Sequence, residues 1–256
     1  MLSANLDMKI KDLLGVADYN THQNLIKHIF SNESNFYTNN QIDYTKIVQE
    51  LVNNNVLKLN LPSTQNVTIS FYVDKNPKKA LRNLSEILKS LGQHNYVIKE
   101  EIIVDNNLKW TIQIKTAAAI SPLRLSQELQ SINCSIVDIK REGNSMWSYS
   151  INTNNSSAYK AEDLINNKQL SLKKPIKPYM IKVSNTSVIT MKSGAGNIWY
   201  PSIVFYDDGL NIIGTYQENS LHKSLKLEVP KNTKFIKIDD LHTLANIKQG
   251  INITKE

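Results

Sequence analysis

Cysteine is all but missing from this sequence. Cys134 is the one copy in 256 residues, so no intramolecular disulfide can staple the chain and its stability must come from burial. Arginine is nearly as scarce, present as Arg82, Arg124 and Arg141, which makes the net charge of +7 a lysine charge. Base readout and bidentate phosphate clamping favour the planar guanidinium, so this balance argues against nucleic acid as the main partner. No run approaches the roughly 20 apolar residues needed to cross a bilayer. The opening MLSANLDMKIKDLL lacks the basic flank, apolar run and small-residue cleavage site of an export signal. What remains, at 41% hydrophobic and 21% charged residues, is ordinary globular composition, long enough for two or three small modules.

Three kinds of patterning follow one another. In residues 1–60 the spacing is helical: Met8, Ile10, Leu13 and Leu14 end at Gly15, a natural left-handed cap, and Leu25, Ile26, Ile29 and Phe30 form a second stripe with Thr21 as N-cap. Asp43 caps a third segment carrying Ile47, Val48, Leu51 and Val52. In residues 61–152 strands and helices alternate. Val67, Ile69, Phe71 and Val73 give way at Pro77 to a helix with Ala80, Leu84, Ile87 and Leu88. Ile98 to Val104 and Leu108 to Ile114 make two strands around Asp105-Asn106-Asn107, and Ser121-Pro122 opens a second helix. Two more strands turn at Glu142-Gly143-Asn144. The order β-α-β-β-α-β plus one strand predicts an antiparallel sheet with two helices on one face. Residues 153–178, rich in Asn, Ser, Lys and Pro, read as a linker. Residues 179–256 lose the helical period and carry strand-like runs every 8–12 residues, the cadence of a β-sandwich.

The fold class expected is therefore α+β multidomain: a small helical bundle, a ferredoxin-like βαββαβ domain and a C-terminal jelly-roll-like β-sandwich. The middle region resembles the ferredoxin-like periplasmic domains of pilus and type II secretion assembly proteins. Phe205-Tyr206-Asp207-Asp208-Gly209 and Val229 to Ile238 resemble matching elements of jelly-roll and galactose-binding-like modules. The whole, Lys- and Asn-rich with its modules in this order, is similar to three-domain secreted or periplasmic proteins of epsilonproteobacteria. That resemblance implies a periplasmic or secreted location and a protein partner in the envelope or the host.

Chemistry-bearing constellations are few. The histidines, His22, His28, His94, His222 and His242, are scattered; only Asp18 and His22 fall at the i, i+4 spacing that shares a helix face, and two ligands do not hold a metal. Ser220 and Lys223 match a Ser-x-x-Lys spacing but precede a strand rather than open a helix, and Gly194-Ala195-Gly196 runs into a strand, which marks a turn rather than a phosphate loop. Asp207, Asp208 and Asn211 offer hard oxygen ligands for a cation, and equally the chemistry of an Asp-Gly hairpin turn. In the strand from Ile198, Trp199, Ile203 and Phe205 fall on one face and Tyr200, Val204 and Tyr206 on the other. Tyr200 and Tyr206, with Tyr216 nearby, are thus candidates for stacking on a sugar or anchoring a protein. The expected function is non-enzymatic and cofactor-free binding of protein, with carbohydrate binding through the C-terminal domain and nucleic-acid binding as alternatives.

Overall fold

The computed structural model describes residues 4–38 and 40–256. The chain divides into two compact units, one running to Ser156 and the other spanning Ser157–Glu256. It is a mixed α+β protein, with six α-helices and four sheets among the described residues. None of those helices is long and apolar enough to cross a membrane.

The first unit begins with α1 (Ala4–Leu14), α2 (Val16–Thr21) and α3 (Gln23–Ile29), then a short hairpin of β1 (Tyr37–Thr38) and β2 (Gln41–Ile42), and α4 (Tyr44–Asn53). Two local expectations shift. Leu6, Ile10, Leu13 and Leu14 form the buried face of α1 while Met8 is exposed. Thr21 ends a helix instead of capping one, because its hydroxyl donates to the Ala17 carbonyl four residues back (2.9 Å). Gly15 takes the left-handed conformation the first helix end requires (φ 81°), and Asp43 caps α4 by accepting from the Lys46 amide (3.2 Å).

Next come β3 (Asn60–Val73), α5 (Pro77–Ser90), β4 (Val97–Val104), β5 (Asn107–Ala118), α6 (Pro122–Gln130), β6 (Ser135–Glu142) and β7 (Met146–Asn152), whose strands make one sheet in the order β4-β5-β3-β7-β6. Helices cover one face. Against it lie Phe71, Trp110, Trp147 and Tyr149, stacked ring on ring at 5.7–6.3 Å, with Leu84, Leu88, Leu125 and Leu129 from α5 and α6 also in the core. Phe71 and Trp110 are therefore closed to a stacking base.

The sheet is not purely antiparallel as expected: β3 pairs β7 in parallel, Thr68 opposite Met146 through Val73 opposite Ile151. The physical reason lies in the last hairpin. β7 carries Trp147, Tyr149 and Ile151, all buried, whereas β6 carries Asp138, Lys140 and Glu142, so the apolar strand takes the inner place and the charged one the edge. Cys134, just before β6, is buried, and burial pushes its thiol up to about 11, which makes it an inert small hydrophobe.

The second unit holds β8 (Glu162–Asp163), β9 (Gln169–Leu172), β10 (Tyr179–Lys182), β11 (Val188–Ser193), β12 (Pro201–Tyr206), β13 (Ile212–Gln217), β14 (Ser224–Glu228), β15 (Phe235–Asp240) and β16 (Ile251–Lys255). Two sheets, β13-β12-β15-β10-β8 and β14-β11-β16-β9, share a core in which Met191, Ile253 and Leu225 of one meet Ile203, Phe205 and Ile238 of the other around Trp199. The stretch expected as a linker supplies β8 and β9. Leu164 and Leu172 anchor it in that core, two apolar residues hidden among polar neighbours. A second cluster of Ala158, Met180 and Phe235 lies beside Tyr206 and Leu210.

Candidate functional site

The strand register of the second unit brings distant side chains to one rim. Pro201 at the start of β12 pairs with Asp240 at the end of β15, and Ser202 with Gln217 at the end of β13. The segments 197–200, 218–223 and 241–246 therefore meet at the same end of the unit. Backbone bonds tie them: His222 donates to the Trp199 carbonyl (2.9 Å), Glu218 to Pro201 (3.1 Å) and Leu241 to Tyr200 (2.8 Å).

Asp240 is the organising group. Its carboxylate is buried and accepts from the Tyr200 amide (2.8 Å), the His242 and Thr243 amides (both 2.9 Å) and the Asn246 side chain (3.0 Å). Burial alone would raise its pKa, but these four donors outweigh it and hold the acid below its ordinary value. The result fixes the two chain segments that present Tyr200 and His242, whose rings meet edge-on at 4.8 Å. His242 Nε2 lies 3.0 Å from the Asn219 side-chain oxygen, which links this pair to the loop 218–223.

In that loop Glu218 accepts from the Tyr216 hydroxyl and from Ser220 Oγ (2.7 Å), and its Oε2 lies 3.0 Å from His222 Nε2. The Tyr216 hydrogen bond first, then that of Ser220, lower the Glu218 pKa, and the same carboxylate raises that of Tyr216. Ser220 Oγ also sits 3.0 Å from His222 Nε2. Serine and carboxylate thus address the same ring nitrogen. A Ser-His-acid relay needs them on opposite nitrogens, so that one orients the imidazole while the other is deprotonated, and this arrangement lacks that division.

The three expected tyrosines are dispersed. Tyr200 stands at the rim. Tyr216, opposite Ile203 in the register, lies on the core side with only its hydroxyl reaching the rim. Tyr206 is at the far end of β12, packed beside Ala158, Met180 and Phe235. Asp207 and Asn211 close a turn: the Asn211 amide donates to Asp207 Oδ1 (2.8 Å) and its side chain to Oδ2 (3.0 Å), with Leu210 left-handed at φ 61°. With Asp208 in the same turn, this is hairpin chemistry in which both Asp207 oxygens already have donors. Among the described residues no cluster of three or more His, Cys, Asp or Glu is placed to hold a metal ion.

The sequence offers His222 and His242 only as scattered histidines, and gives no sign of Glu218, Asn219 or Asp240. No local motif joins them, since the antiparallel strands between them do the joining. The one signal was the Ser220-to-Lys223 segment, noticed for the wrong partner. At the opposite end of the unit the loops 185–188 and 228–234 line a cleft of about 910 Å³, polar throughout except for Val188, Val229 and Pro230.

No family model matches the chain, and no curated protein matches it. Among solved structures it is similar to a fucose binding module of Streptococcus pneumoniae, at 12% identity over 34% of this chain and 67% of that one, with a TM-score of 0.25. It is also similar to the secreted serine protease VesC of Vibrio cholerae, at 8% identity over 63% of this chain and 40% of that one, with a TM-score of 0.25. Likenesses of this size assign neither fold nor function.

Proposed function

We propose that this chain is a non-catalytic, exported binding protein and that the rim of its C-terminal unit takes a carbohydrate. The observation that carries the reading is the Tyr200–His242 ring pair at 4.8 Å, flanked by Asn219, Glu218, Ser220 and His222. A sugar offers an apolar C–H face and a fringe of hydroxyls, and an aromatic ring beside amide, carboxylate and imidazole groups matches both. The shared nitrogen of Ser220 and Glu218 supports binding over hydrolysis.

A glycan array followed by calorimetry tests this. Tyr200→Ala and His242→Ala are expected to weaken the best glycan at least about tenfold, and Tyr206→Ala to leave it unchanged. Silence across the array, or equal binding by all three variants, would remove the reading.

A second reading assigns the N-terminal unit to a protein partner of the envelope or the host. What favours it is the uncovered face of that sheet, where Tyr72, Ile102, Val104 and Val137 border a cavity of about 420 Å³. Under this reading the N-terminal unit is a variant of the split βαβ scaffold with a strand inserted, and the C-terminal unit a jelly-roll-like sandwich. Fractionation of the producing cells tests export. A salt-dependent gel shift with duplex DNA or RNA would revive the nucleic-acid alternative instead.

A further inference from the structure

The two edges of the N-terminal sheet are treated differently. At β6 the helices close over the edge: Asp138 receives Lys9 Nζ (3.0 Å) from α1 and the Tyr44 hydroxyl (2.6 Å) from α4, and Arg141 Nη1 donates to the Leu13 carbonyl (3.3 Å). At β4 nothing comparable happens. Its neighbour on one side is β5, and on the other side no strand pairs with it among the described residues. All five of its large apolar side chains are exposed, Val97, Ile98, Ile102, Ile103 and Val104, between 43% and 59%. A long apolar edge with free backbone groups is a template for strand addition.

The order of residues along β4 says which strand it fits. A bulge at Lys99 resets the alternation, so Val97, Glu100, Ile102 and Val104 share a face with Gln113, Thr111, Lys109 and Asn107, while Ile98, Glu101 and Ile103 share the other with Ile112, Trp110 and Leu108. Counting the bulged Lys99-Glu100 as one position, the two apolar ends of the strand mirror each other about Glu101, Val97 with Val104 and Ile98 with Ile103, while the bulge mirrors Ile102. An antiparallel copy placed on a two-fold axis there sets Ile98 opposite Ile103 on one face and Val97 opposite Val104 on the other. On that second face the Glu100 carboxylate is held by Lys109 Nζ of its own strand neighbour at 2.6 Å, so the seam rests on the apolar pairs.

We infer that β4 pairs with β4 of a second copy of this chain, joining two five-stranded sheets into one of ten strands. The matched apolar ends favour self-pairing over a foreign strand, because a two-fold sets Ile98 against Ile103 and Val97 against Val104 on both sides of the axis, as an isologous interface must. The centre is the unfavourable part, with Glu101 facing Glu101 on the axis and the Lys99-Glu100 bulge of each copy opposite Ile102 of the other. A seam one strand long lies at the small end of interface sizes, so the dimer is expected to be weak and concentration-dependent.

Sedimentation of the full chain across a concentration series should show a monomer–dimer equilibrium. Ile98→Lys with Ile103→Lys should weaken it at least about a hundredfold, since four like charges then meet in the seam, while the melting temperature of the monomer stays unchanged. Glu101→Gln, which only relieves the axial repulsion, should tighten it about two- to fivefold. Directly opposed strand residues sit about 4.5–5.5 Å apart at Cα, inside the window for a disulfide. Glu101→Cys should therefore oxidise to a covalent dimer, while Lys115→Cys, exposed on β5 away from the edge, should not. A chain that stays monomeric at the highest concentration, a double-lysine variant that dimerises as well as the parent, or equal cross-linking at Glu101 and Lys115 would each overturn the inference. A dimer whose only failing is that Glu101→Cys does not cross-link would overturn the register and with it the two-fold assigned here.

Discussion

Ile139 and Ile103 occupy matched places at opposite edges of the N-terminal sheet. Each sits on an edge strand, each points to the helix-covered face, and each opposes a buried residue of its inner neighbour, Tyr149 and Leu108. Yet Ile139 is 0% exposed and Ile103 is 45%. The difference comes from what lies above them. α6, α4 and α1 all pack on β6, while the covering helices stop short of β4. The helical N-terminus is thus an edge cover, which spends its apolar stripe on one side of the sheet and leaves the other side as surface.

The sharpest way to break this comparison is to truncate the covered partner. Ile139→Ala is expected to cost about 3 kcal/mol, the transfer of the lost methylenes plus the cavity they leave, read as the shift of a urea midpoint at constant slope. A cost below about 1 kcal/mol would mean the helices do not close over β6.

Asp138→Ala comes next, at about 2 kcal/mol, because it strips an acceptor from both Lys9 and Tyr44 at once. Tyr44→Phe removes one of those bonds and should cost about 1 kcal/mol. It also has a pH signature. Burial first, and then the hydrogen bond to Asp138, push the Tyr44 hydroxyl well above the ordinary phenol value. A group whose pKa rises on folding stabilises fully below its unfolded value, here about 10, and the contribution is lost as pH rises beyond that point. Unfolding free energies measured at pH 8 and pH 11 should fall further for the parent chain than for Tyr44→Phe. Equal losses would detach Tyr44 from the edge cover.

Much of this architecture was legible because periodicity and caps are local. Asp43 and the Ser121-Pro122 pair mark the starts of α4 and α6, and the two left-handed residues Asp105 and Asn106 mark the β4–β5 turn. Alternation placed Phe71 and Trp110 on the covered face. What could not be read is long-range. Apolar residues in β4 report a strand and not its burial, so Ile98, Ile102 and Val104 look like core in the sequence and are surface in the fold. The parallel place of β7 depends on a contest between two strands of one hairpin. At the rim, Asp240 touches neighbours from positions 200 to 246, and Tyr216 reaches Glu218 by its hydroxyl alone while its ring keeps to the core side. A side chain can therefore fall on the expected strand and still miss the expected surface.

Ile103→Ala is the smallest effect and the most discriminating. In dilute solution, where the chain is monomeric, an exposed truncation on β4 should change stability by no more than about 0.5 kcal/mol, against about 3 kcal/mol for the same substitution at Ile139. At high concentration the same variant loses an apolar contact on each side of the proposed two-fold and should dimerise less well than the parent. Stability and self-association would then separate at one residue: Ile139 acts within the fold, and Ile103 acts between copies. If Ile103→Ala instead destabilised the monomer as much as Ile139→Ala, the helices would have to cover both edges, and β4 would lose its standing as a free surface.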